Sequence, residues 1–68
     1  MSSAEEALDR AEELVGELDA KREELEKLAE ADELDAEAAV DVLAELADLA
    51  KQIEAELSRA RALADAAP

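Results

Sequence analysis

The chain has no cysteine, no histidine and no aromatic residue, with one glycine and one proline. Each absence closes a class of function. Without cysteine there is no disulfide and no thiolate metal site. Without histidine, Ser2, Ser3 and Ser58 have no imidazole to make a nucleophile of them. A carboxylate doing acid–base work needs a desolvated cleft, which two thin helices do not offer. Diiron bundles combine carboxylates with a Glu-x-x-His motif, and calcium loops need spaced oxygens around a glycine. Neither pattern occurs. Carboxylate pairs such as Asp9 with Glu12 or Glu13, and Glu26 with Glu30, therefore read as a solvated acidic face. No catalytic residue, metal or cofactor is expected. No apolar run approaches the roughly 18 residues a membrane span requires.

Positive charge is also scarce. Lys and Arg number 7 against 21 Asp and Glu, for a net charge of −14. Nucleic-acid affinity comes mostly from cations displacing counterions from phosphate, so direct binding to DNA, RNA or an anionic membrane is not expected. An acidic decoy that mimics DNA and occupies a basic cleft on a binding protein is one reading the charge leaves open. The acids would suit a high-salt cytoplasm, where screening removes self-repulsion, and an Ala- and Glu-rich coiled coil accounts for them equally. Met1 is followed by a polar start, so no secretory signal is expected and the setting is read as cytoplasmic.

What is present is Leu and Ala at helical spacing. The start is marked by Ser3-Ala4-Glu5-Glu6, which fits a capping box with Ser3 as the cap. Ala4, Ala7, Ala11, Leu14, Leu18, Lys21, Leu25 and Leu28 then alternate three and four apart, a heptad seam with one polar intruder. Lys21 there either fixes register or snorkels outward. Leu8, Val15 and Ala29 widen the stripe, and Gly16 lies on the far, solvent side. Expected ion pairs one turn apart are Glu6–Arg10, Glu17–Lys21 and Glu23–Lys27.

A second series, Ala36, Ala39, Leu43, Leu46, Ala50, Ile53, Leu57, Ala60, Ala64 and Ala67, alternates without a miss. Val40 and Ala47 flank it on one side, and Val42, Leu49 and Leu63 on the other. Between the two series the phase slips by four, at Asp32-Glu33-Leu34-Asp35. A tight turn explains this, with Asp35 capping the second helix and Leu34 stapled onto Ala39. A stutter in one continuous coiled-coil helix explains it too. The cluster of acids breaks the stripe and supplies a cap, which favours the hairpin. The fold expected is all-α: an antiparallel two-helix hairpin, with helix one over residues 4–31, a turn over 32–35 and helix two over 36–66, assembling into a helical bundle. The arms are about 42 Å and about 46 Å long at 1.5 Å per residue.

Both apolar stripes are wider than a two-stranded seam needs. Such a small aromatic-free hairpin buries little surface by itself, so a partner or a second copy is expected. The interface expected on the first helix is Leu8, Val15, Leu18 and Leu25. On the second helix it is Val40, Val42, Leu43, Leu46, Leu49, Ile53, Leu57 and Leu63. Val40, Val42, Leu43, Leu49 and Leu63 are its docking rows.

The run Glu5-Glu6-Ala7-Leu8-Asp9-Arg10-Ala11-Glu12-Glu13-Leu14-Val15-Gly16-Glu17-Leu18 resembles the acidic opening helix of the exodeoxyribonuclease VII small subunit. Glu30-Ala31-Asp32-Glu33-Leu34-Asp35-Ala36-Glu37-Ala38-Ala39 is similar to that family's turn, and Leu49-Ala50-Lys51 to a stretch of its second helix. The resemblance reaches about Arg61. The chain differs by Asp32 at the usual turn glycine, Leu43 at a common aromatic, Leu46 at a common glycine, and an apparent insertion from Ala20 to Glu30. The resemblance implies a helical hairpin with no catalytic role. It also implies a large nuclease subunit as partner, in a complex that degrades single-stranded DNA. A self-assembling structural module, natural or designed, is the competing expectation.

Overall fold

Helix α1 (Ser3–Glu30) is capped by Ser2, whose Oγ accepts the Glu5 N–H at 3.1 Å. The cap thus falls one residue ahead of the expected Ser3. Ser2 and Ser3 both stand three residues before a glutamate, so two caps compete. The earlier one keeps Glu5 and Glu6 in the first turn, where the helix dipole favours anions. The computed structural model describes residues 2–33 and 35–66.

The chain leaves α1 without a glycine. Ala31 adopts φ −66° and ψ 145°, and its N–H donates to the Leu28 carbonyl at 3.4 Å. An extended residue ends the helix here in place of a left-handed cap, and no described residue has a positive φ. Asp35 then opens α2 (Ala36–Ala66): its Oδ1 accepts the Ala38 N–H at 3.0 Å and its carbonyl accepts the Ala39 N–H at 3.0 Å. The Leu34 staple lies outside the described residues.

The two helices fold back on each other into an antiparallel hairpin, 57 Å long and 16 by 10 Å across, measured on Cα atoms. Among the described residues there is no strand, and the phase slip is a turn rather than a stutter. In α1 the inward residues are Ala4, Ala7, Ala11, Leu14, Leu18, Lys21, Leu25 and Leu28, the series its spacing predicts. Gly16 has open space around it, on the solvent face.

In α2 the inner face departs from expectation. Val42 and Ala60 are buried, and Ala38, Ala39, Leu46, Leu49, Ile53, Glu56 and Leu63 are half-buried. Leu43 and Leu57, expected in the seam, are exposed, and so are Ala36, Ala50 and Ala64. The helix is rotated by one column of its heptad, which brings Val42, Leu49 and Leu63 inward. These bulkier side chains bury more apolar area than a column that is mostly alanine. They also complement α1. Two ion pairs mark the register, Arg10 with Glu56 and Lys21 with Glu45. That register puts Leu63 level with Ala4, Leu49 level with Leu18, and Val42 level with Leu25.

The core is thin. Its buried members are Ala7, Ala11, Leu14, Val42 and Ala60. Burying a Leu or Val side chain stabilises by roughly 1.5–3 kcal/mol, and alanine brings far less. Leu14 and Val42 are therefore the two residues on which the hairpin most depends.

Candidate docking surface

An antiparallel helix pair has two edges. Residues that immediately precede the first inner position of each heptad gather on one. Residues that immediately follow the second gather on the other. Here the two edges have opposite chemistry.

The first edge carries Arg10, Glu17 and Glu24 from α1 and Ala38, Glu45, Gln52 and Arg59 from α2. It is stitched across the seam. Arg10 Nε lies 3.6 Å from Glu56 Oε1, and Lys21 Nζ reaches both Glu45 and, at 3.2 Å, Glu24. Lys21 thus snorkels from its seam position to this edge. Its hydrogen bonds to Glu45 and then Glu24 raise its pKa above the ordinary lysine value. The expected pairs Glu6–Arg10, Glu17–Lys21 and Glu23–Lys27 do not form. Arg10 and Lys21 turn instead to Glu56 and Glu45 on the opposite helix. Glu56 itself was not foreseen as an inner residue. Its side chain is 18% exposed, and its Oε2 is buried without a hydrogen-bond partner. The shallow groove on this edge is lined by Glu17, Ala20, Lys21, Glu45, Asp48 and Leu49. No group of three or more acidic residues among the described residues is arranged to hold a metal ion.

The second edge carries Leu8, Val15, Arg22 and Ala29 from α1 and Ala36, Leu43, Ala50, Leu57 and Ala64 from α2. Leu8, Val15, Leu43 and Leu57 are each about half exposed, and Val40, one turn before Leu43, is 62% exposed. The register sets Leu8 beside Leu57 and Val15 beside Ala50. Its charged member, Arg22, folds down onto Asp19 and Glu26 of its own helix. The result is an apolar strip along one edge, interrupted on α1 by Arg22 opposite Leu43.

The expected interface residues therefore divide. Leu18, Leu25, Val42, Leu46, Leu49, Ile53 and Leu63 lie in the seam between the helices. Leu8, Val15, Val40, Leu43 and Leu57 face solvent. Of the five expected docking rows, Val42, Leu49 and Leu63 are spent inside the hairpin, and Val40 and Leu43 remain outside. One signal for the true inner face is present in the sequence. Residues 39, 42, 46, 49, 53, 56, 60 and 63 alternate three and four apart, with a single polar member at Glu56. Read backwards, that series has the same alternation as the seam of α1.

No family model matches the chain, and no curated protein or solved structure shows significant similarity to it. No helix among the described residues is long and apolar enough to cross a membrane.

Proposed function

We propose that this chain is a non-catalytic helical hairpin that docks on a larger protein through its apolar edge. The observation that carries this reading is the gathering of Leu8, Val15, Leu43 and Leu57 on one edge, each about half exposed. Contiguous exposed apolar strips on small proteins mark interaction sites far more often than scattered single residues do. The thin core points the same way, because association would supply burial that the hairpin lacks. The resemblance at residues 5–18 and 30–39 names the partner class: the large subunit of a single-strand exonuclease. That subunit would hold the active site and the DNA contacts, and this acidic chain would touch no nucleic acid itself.

The test is co-expression of the chain with the large exonuclease subunit from the same source. A stable complex is expected, and the double substitution Leu43→Glu with Leu57→Glu should abolish it while leaving the helical circular dichroism in place. Failure of the unaltered chain to retain the nuclease subunit removes the nuclease assignment. A second reading, self-assembly into a four-helix bundle, is favoured by the thin core and opposed by the net charge of −14 on every copy. Sedimentation of the pure chain separates the two.

A further inference from the structure

The apolar edge has an acidic rim on its α1 side, while its α2 border carries Val40, Ala47, Glu54 and Arg61. One turn before Leu8, Val15, Arg22 and Ala29 stand Glu5, Glu12, Asp19 and Glu26, all exposed. Residues three apart are neighbours on a helix surface, so these acids form a row alongside the strip. Arg22 engages Asp19 and Glu26. Glu5 and Glu12, which bracket Leu8, make no ion pair among the described residues.

This rim discriminates between occupants. A second copy would bring its own acid row and another −14 charges. Phosphate backbones and anionic membranes are repelled in the same way. A straight apolar strip suits a helix laid along it, held by apolar anchors at helical spacing. From Leu8 to Arg22 it runs roughly 21 Å, at about 1.5 Å per residue, which matches four turns of helix. Resting on the reading that this edge docks, we propose that its occupant is a cationic amphipathic helix of another protein. That helix has an apolar stripe bordered by Lys or Arg. Leu8, Leu57, Val15 and Leu43 take the stripe, and Glu5 and Glu12 steer and orient its basic side.

Three fluorescein-labelled peptides of equal length test this by anisotropy against the full chain. The first sets Leu at helical spacing among Lys. A second has the same composition scrambled, and a third keeps the Leu pattern but replaces Lys with Glu. The patterned Lys peptide should bind at least roughly tenfold tighter than either control, with affinity falling as salt rises. The double substitution Leu43→Glu with Leu57→Glu should cost it a similar factor with helicity retained. Glu5→Gln with Glu12→Gln should flatten the salt dependence. Equal binding of the scrambled Lys peptide would show attraction by charge alone and overturn the proposal. Equal binding of the Glu peptide would leave apolar docking standing and overturn only the cationic partner. Sedimentation showing a dimer that the edge substitutions dissociate would overturn this proposal and the docking reading together.

Discussion

The two edges of this hairpin differ in what their side chains have left to do. On the charged edge, Arg10 and Lys21 reach across the seam to Glu56 and Glu45, so its chemistry is consumed in holding the helices together. On the apolar edge, Leu8, Val15, Leu43 and Leu57 share one side of the hairpin and each stays about half exposed. The contrast follows from the rotation of α2. Had Leu43 and Leu57 turned inward, the leftover Val42, Leu49 and Leu63 would lie beside Arg10, Glu17 and Glu24. Apolar and charged groups would then be mixed on one side. The observed rotation segregates them. A surface can be internally satisfied or available to a partner, and here each edge is one of these.

The sharpest way to break this contrast is to compare the seam with the apolar edge. Leu14 is 4% exposed, and Leu57 is 48% exposed. Leu14→Ala should cost about 3 kcal/mol in urea unfolding, enough to unfold much of so small a domain. Leu57→Ala should cost less than about 1 kcal/mol, because half of the side chain is already in water. Equal costs would mean that the apolar edge is part of the packed fold and not a free surface.

The next test concerns Glu56, where the charged edge enters the seam. Its unpartnered Oε2 is a buried polar atom, and leaving such a group unsatisfied costs about 1–3 kcal/mol. Glu56→Leu should raise the unfolding free energy by an amount in that range, seen as a higher urea midpoint, since Ala11 at the same level leaves room for the branch. A fall in the midpoint would show that the Arg10 clip outweighs the desolvation of the acid.

The smallest effect is expected at Lys21. Its pKa is raised in the folded chain by Glu45 and Glu24. The proton on its amine is therefore held more tightly in the folded state than in the unfolded one. The stability it contributes is fully present below its unfolded pKa, about 10.4, and is lost as pH climbs through the higher folded value. Melting curves should fall over that alkaline window in the native chain and fall less in Lys21→Met. Identical alkaline profiles would mean that the cross-seam pair contributes nothing, as many exposed pairs do.

Much of this fold is legible in the residues. The α1 seam follows from alternating three- and four-residue spacings, and the observed α2 begins at the alanine that follows its capping aspartate. Both are local properties, decided within a few turns of chain. The first cap was harder to place, because Ser2 and Ser3 offer the same spacing to a glutamate and differ by one residue. The ion pairs were misplaced for another reason. Spacing along one helix predicts partners one turn away, whereas Arg10 and Lys21 pair with Glu56 and Glu45 on the other helix.

The docking edge sits at the boundary of what spacing can tell. α2 has three adjacent apolar columns, led by Ala36, Ala39 and Val42, and a two-stranded seam can bury only two of them. The amino-acid order alone determined that the chain would be helical, that its phase would slip at residues 32–35, and that some apolar column would be left over. That the slip is a turn between two helices came from the tertiary structure. Which column was left over was decided only when α2 met α1. Burial belongs to a pair of surfaces, and the bulk of Leu63 and Leu49 and the reach of Arg10 and Lys21 have no meaning until the second helix is in place.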